Sequence, residues 1–224
     1  MTGTYEPRVF DAPNIAQAKR IILTAEGSGT EQRWAKETPY VAEMIGRTLN
    51  LRPDTVLLDY GCGIGRLAKE LIAKYRCSVV GVDISASMRG FAATHVESDR
   101  FLGCAPAMLD TLVERGFACD AAITVWVLQH CQRPAEDVAR IKRALKPSAP
   151  LFVVNNIHRA VPMLERKLGP MGATMAGTWA NDGIDVKALV AQEFTPQDEG
   201  KLAPDRIGSD LSRLTYWATF LKQA

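Results

Sequence analysis

Residues 55–66, TVLLDYGCGIGR, constrain what this chain can fold into more than any other stretch. They read as an apolar strand ending in an acid, a turn carrying Gly61, Gly63 and Gly65, and the start of a helix. Glycine at every second position lets backbone lie against a ligand, and the orphan amides that open the helix favour an anionic or strongly polar group. A dinucleotide turn would read G-x-G-x-x-G and a phosphate loop would end in Gly-Lys-Ser or Gly-Lys-Thr, and this turn is neither. The second anchor is Asp83, which closes the apolar run 78–83. With those two strands adjacent and parallel, Asp83 faces the sugar of a ligand lying over the glycines, and its carboxylate can accept from two neighbouring hydroxyls. Asp59, ending the first strand, is placed to orient a cationic amino group. Tight turns also use glycine for structural reasons alone. The flanking strand, the amphipathic helix and the second acid favour the ligand reading.

Strands and helices alternate around this unit. Strands are expected at 55–59, 78–83, 100–104, 120–128 and 151–155, with helices from Ile64 to Tyr75 and near 86–93, 107–115 and 134–145. The run DAAITVWVL at 120–128 is nearly all apolar and rich in β-branched residues, as in a buried strand. Successive βα units predict a largely parallel sheet covered by helices on both faces. Upstream, helices are expected at 13–23 and from Thr38-Pro39, a cap followed by proline. Downstream, a short helix at 161–168 leads into a run rich in glycine and methionine, and strands at 186–194 and 214–220 form antiparallel neighbours at the sheet edge. The chain reads as a single domain over 1–224. Its N-terminal helices within 1–50 are placed either to close the site or only to cover the sheet, and 156–185 reads as a substrate-side insertion.

Twenty-seven Lys and Arg against 25 Asp and Glu leave a charge of +2, which gives no strong signal for nucleic acid or an anionic bilayer. The longest apolar run, 121–128, is too short for a membrane span, and MTGTYEPRVF lacks the segments of a secretory signal. Five cysteines form no CxxC pair, so free thiols, a cytoplasmic location and no metal site are expected.

Asp59-Tyr60-Gly61-Cys62-Gly63-Ile64-Gly65, with Asp83 in VVGVDIS, resembles the first motif and second-strand acid of class I S-adenosylmethionine-dependent methyltransferases. DAAITVWVLQH resembles their fourth strand and the loop beyond it, and KRALKP with LFVVN the next unit. The resemblance implies an α/β, Rossmann-like fold with a seven-stranded, mostly parallel sheet in the order 3-2-1-4-5-7-6, strand 7 antiparallel, and helices on both faces. It implies S-adenosyl-L-methionine as cofactor, with Gly61, Gly63 and Gly65 along its methionine part. Asp59 would sit at the amino-acid end, Asp83 at the ribose hydroxyls and Ile84 against adenine, with Cys62, Cys104 and Val125 completing the set. The family often has an acid after strand three for the adenine amino group. Gly103-Cys104-Ala105 has none, and Asp99 and Asp110 are the nearest.

Methyl transfer asks chiefly for alignment of a nucleophile behind the methyl, and for a general base only when the nucleophile arrives protonated. His130 is the first candidate base, with a strand-capping role as the competing reading. Gln129 would orient substrate, Trp126 would supply a flat wall or simply pack, and Asn155, Asn156 and His158 point toward the same face or only form turns. The fourth-strand segment Thr124-Val125-Trp126-Val127 lacks the Pro-Pro-aromatic pattern of adenine or glutamine amino-group enzymes. There is no cysteine-proline catalytic pair and no acid cluster for a divalent metal. These absences favour a small-molecule acceptor over DNA or RNA. Two other readings stand beside an active methyltransferase: a non-catalytic scaffold or cofactor-binding interaction protein on the same fold, and a nucleotide-cofactor oxidoreductase, which a G-x-G-x-x-G turn would have favoured. The methionine-rich residues 163–179 suit an acceptor pocket, core or a dimer face, so a homo-oligomer stays open.

Overall fold

The computed structural model describes residues 3–23, 29–169 and 172–223. The chain opens with a two-residue strand β1 (Thr4–Tyr5), a 3-10 turn Pro7–Phe10, and helices α1 (Ile15–Ile22) and α2 (Thr30–Thr48). Asn14 caps α1 by accepting from the Gln17 amide at 2.9 Å. α2 begins well before the Thr38-Pro39 signal and carries Pro39 inside it. Proline there removes one helical hydrogen bond, but Val41, Ala42 and Ile45 are fully packed against the core, and tertiary burial outweighs local preference.

The central units follow in order: β2 (Val56–Tyr60), α3 (Arg66–Tyr75), β3 (Ser78–Val82), α4 (Ala86–Val96), β4 (Phe101–Cys104), α5 (Pro106–Glu114), β5 (Ala121–Val125), α6 (Pro134–Arg143) and β6 (Pro150–Asn156). Then come β7 (Val161–Gly169), β8 (Gly172–Ala180), α7 (Val186–Glu193), β9 (Phe194–Gly200), α8 (Pro204–Ile207), α9 (Ser209–Leu214) and β10 (Thr215–Lys222). Seven strands form one sheet in the order β4-β3-β2-β5-β6-β10-β9, which is 3-2-1-4-5-7-6 when its strands are numbered among themselves. β10 runs antiparallel to both neighbours and the central pairs are parallel. Because successive side chains alternate, Leu57 and Leu58 serve opposite faces. Leu58, Val80 and Ala122 pack with Leu109, Val138 and Ile141 of α5 and α6. Leu57, Val79 and Ile123 pack with Ile45 and Leu71 of α2 and α3.

Besides α2, three segments differ from the sequence expectation. β5 stops at Val125 because Trp126 turns left-handed at φ 57° while its amide still donates to the Val154 carbonyl at 2.7 Å. The apolar run continues to Leu128 because Val127 and Leu128 pack from the loop. Residues 161–168 are not a helix: β7 pairs along its length with β8, and β1 adds on the other side, making a three-stranded antiparallel sheet β1-β7-β8. Residues 186–193 are a helix rather than a strand. Asp185 caps it through the Ala188 amide, and Val186 and Val190, one turn apart, are its buried residues.

The glycine turn is crowded by its own protein. At Gly61 (φ 85°) an added Cβ would lie 2.1 Å from Val127, and at Gly65 (φ 76°) 2.3 Å from Val96. Left-handed backbone and close packing coincide there, so only glycine fits. Gly65→Ala is therefore expected to cost about 2–4 kcal/mol in urea denaturation, combining left-handed strain with overpacking. Gly90→Ala, inside α4 with open space around it, is expected to gain about 0.5–1 kcal/mol in the same measurement.

Candidate active site

A cavity of about 900 Å³ opens at the carboxyl edge of β2, β3 and β5, bounded by α1 and the three-stranded sheet. Its size suits a cofactor together with a small acceptor. Gly61, Gly63, Asp83, Ile84, Val125, Trp126, Gln129 and His130 line it, so the turn, the second-strand acid and the fourth-strand loop do converge on one space. Asp83 Oδ2 accepts from the Gly63 amide and Oδ1 from the Ser85 amide, both at 2.9 Å. Each carboxylate oxygen keeps a lone pair for a further donor. Burial raises the Asp83 pKa and these two amide bonds oppose the rise. Ile22 of α1 rests on Gly63, where an added Cβ would come within 2.9 Å of it.

The other expected site residues do not line the cavity. Asp59 lies behind the turn, 3% exposed, and its pKa is pushed up to about 7 by burial and then by the Asp83 charge, against the pull of Arg66. Gly65 is taken up with Val96. Cys62 and Cys104 are buried, with Cys62 Sγ packed beside Gly81, and burial raises both thiols. Asn155 is fully buried and works inside the wall: its Oδ1 accepts from the Gln129 amide at 3.1 Å. His158 is exposed, past the end of β6 and outside the cavity lining.

Around His130 the hydrogen bonds set a definite proton arrangement. Nδ1 lies 2.6 Å from the Ala160 carbonyl, which can only accept, so Nδ1 carries the hydrogen and Nε2 is the acceptor. That acceptor takes the Gln129 side-chain amide at 3.1 Å, and Gln129 Oε1 accepts from the Asn156 amide at 2.6 Å. Burial lowers the His130 pKa, partly offset by the Ala160 bond.

Several residues in or around the cavity escaped the sequence reading. Arg66, 4% exposed at the start of α3, lines the cavity between the rings of Trp34 and Trp126, each 5.8 Å away. Burial lowers it to about 10, with Glu37 and Asp59 holding it up. A cation at a helix N-terminus opposes the dipole, and that mismatch was the one signal in the sequence. Arg159 donates to the Leu128 carbonyl at 2.9 Å and the Cys131 carbonyl at 2.7 Å, and pairs with both oxygens of Asp182 at 2.8 Å. It fastens the His130 loop to the base of the β7–β8 hairpin. Phe10, Tyr5 and Trp179 also line the cavity, and Tyr5 is raised to about 12 chiefly by burial. On the far side Tyr60 donates to Asp137 at 2.5 Å, and Arg140 reaches Tyr60, Asp137 and Asp110. Among the described residues no group of three His, Cys, Asp or Glu could hold a metal, and no helix is long and apolar enough to cross a membrane.

Residues 58–153 match the methyltransferase domain family. The chain is 32% identical over 129 residues to a ubiquinone biosynthesis O-methyltransferase of Caulobacter vibrioides, an alignment covering 57% of this chain and 50% of that protein. It thus spans about half the length of that relative. A geranyl diphosphate methyltransferase solved in complex with S-adenosylmethionine superposes with TM-score 0.59 at 15% identity, covering 82% of this chain and 85% of the other. The cyclase SpnF superposes with TM-score 0.59 at 18% identity, covering 83% and 82%. Residues 58–153 thus match a methyltransferase domain, and the sheet order and glycine turn give the chain the fold of these solved structures.

The chain has three histidines, so each ring can be followed by NMR. The His130 ring is expected to titrate below the ordinary 6.5. Its folded pKa is depressed, so its contribution to stability is full above the unfolded value and is lost as pH falls below it. A midpoint at or above 6.5 would contradict the buried Nδ1–H arrangement.

Proposed function

We propose that this chain binds S-adenosylmethionine over the 61–65 turn and transfers its methyl to a small-molecule acceptor held beside His130. The observation that carries this reading is one cavity shared by the Gly61–Gly63 backbone, the Asp83 carboxylate and the Gln129–His130 pair. The residues present suit the cofactor: side-chain-free backbone for close approach, a carboxylate with free lone pairs for two hydroxyls, and the apolar Ile84 and Val125 for a flat base. When bound, the sulfonium supplies an activated methyl with a neutral thioether as its leaving group. Asp83 would hold the ribose and Ile84 the adenine. Glu136 and Asp137 of α6 also line the cavity, with Glu136 paired to Arg133 and Asp137 held by Tyr60 and Arg140. Asp59 and Arg66 would set the field at the amino-acid end.

His130 is placed to take the proton of a hydroxyl acceptor. Its Nδ1 is fixed on Ala160, and Nε2 would exchange the Gln129 amide for the acceptor hydroxyl. Gln129 and Asn156 would steady that hydroxyl, and Trp126 the wall beside it.

Calorimetric titration with S-adenosylmethionine and S-adenosylhomocysteine, with NAD as control, tests the reading. Saturable binding of the first two alone is expected. Asp83→Ala should weaken it at least tenfold, and Gly63→Val, which forces a branched side chain into the turn, should abolish it. No binding to the parent would refute the reading, and binding without turnover across acceptor screens would favour a scaffold. In an active enzyme His130→Ala should lower kcat while sparing cofactor affinity. Because the His130 pKa is depressed, kcat/KM should hold its plateau below pH 6.5 and fall only at more acid pH.

A further inference from the structure

Three rings from three separate segments meet at one end of the cavity. Phe10 comes from the 3-10 turn, His130 from the loop after β5 and Trp179 from β8. Their centroids lie 5.6 Å (Phe10–His130), 5.4 Å (His130–Trp179) and 6.4 Å (Phe10–Trp179) apart, at tilted or edge-on angles. Trp179 is 59% exposed although it lines the cavity. A ring of that size left open to solvent leaves a large apolar face uncovered unless a ligand covers it. This end of the cavity is also electrically neutral. Burial favours the uncharged form of His130. Arg159, the charged group acting on it, is matched by Asp182 and committed to two carbonyls. Arg133, on the same loop, is solvent-exposed and paired with Glu136. Beside the rings the Gln129 side-chain amide and the His130 Nε2 lone pair, a donor and an acceptor, are in contact.

We infer that the acceptor is a neutral, planar aromatic alcohol whose ring lies against Trp179 and Phe10 and whose hydroxyl takes the place between Gln129 and His130. Flat aromatic walls prefer a flat ring through offset or edge contacts, and a hydroxyl, as both donor and acceptor, satisfies the Gln129 amide and the His130 Nε2 at once. An acceptor carrying a phosphate or diphosphate would have to draw Arg159 from Asp182 or Arg133 from Glu136, so its desolvation would be poorly compensated. The inference rests on the methyl-transfer reading of the same cavity.

The test uses three probes on one carbon skeleton, 1-naphthol, its saturated and non-planar analogue decahydro-1-naphthol, and 1-naphthyl phosphate, each titrated by calorimetry into the protein saturated with S-adenosylhomocysteine. 1-Naphthol is expected to bind at least tenfold more tightly than the other two. Trp179→Ala and Phe10→Ala should each weaken it about tenfold while leaving S-adenosylhomocysteine affinity unchanged. Equal affinity for the saturated alcohol, or naphthol binding unmoved in both variants, overturns the aromatic acceptor while methyl transfer stands. Equal affinity for the phosphate overturns its neutrality. Failure of the parent to bind S-adenosylhomocysteine removes the methyl-transfer reading, and this inference with it.

Discussion

The contact of Val127 with Gly61 holds the architecture of the site together. Strands β2 and β5 are neighbours in the sheet, and the loop leaving β5 must cross back over the turn that leaves β2. The missing side chain at Gly61 lets it do so, with Val127 occupying the volume that a Cβ would need. Once the loop lies there, Gln129 and His130 face the same space as Gly63 and Asp83. The left-handed Trp126 contributes the bend, and its amide still bonds to β6, so the turn is made without leaving a sheet amide unpaired.

Electrostatics divide the cavity into unlike ends. Near the glycine turn, Asp59, Asp83 and Arg66 are all withdrawn from water, and their pKa values move toward one another: the acids rise and the guanidinium falls. Such a cluster is costly when empty and responds strongly to a ligand carrying both an ammonium and a carboxylate. At the other end the groups are neutral or matched within the protein, and aromatic rings make the wall. A charged cofactor and a neutral acceptor would each find the surroundings suited to them.

The β1-β7-β8 sheet carries the aromatic end of the cavity. Its hairpin departs from β6 and is bound back through Arg159, whose donors reach Leu128, Cys131 and Asp182, while Ala160 both donates to the Gln129 carbonyl and receives His130 Nδ1. Position of the hairpin and orientation of the imidazole are thus one structural variable. The N-terminal strand adds to β7 through Tyr5 and Met163, bringing Phe10 to the same place.

The sequence by itself determined the parallel core. Alternating apolar runs, the spacing of Gly61, Gly63 and Gly65 and the acid at 83 are local patterns, and each local preference agrees with the sheet that forms. The same patterns misjudged residues 161–168 and 186–193, where alternation and helical spacing overlap in short segments and the neighbouring strands and core decide. Of the residues assigned to the site, Asp59, Cys104 and Asn155 lie on strands whose pleat turns them away from the cavity, while Gly65, Cys62 and His158, in the turn and beyond β6, lie outside its lining. Only the tertiary structure brought Phe10, His130 and Trp179 together and paired Arg159 with Asp182. Those contacts join segments far apart in the chain and follow no fixed spacing, because packing and hydrogen bonding depend on distance in space rather than along the sequence.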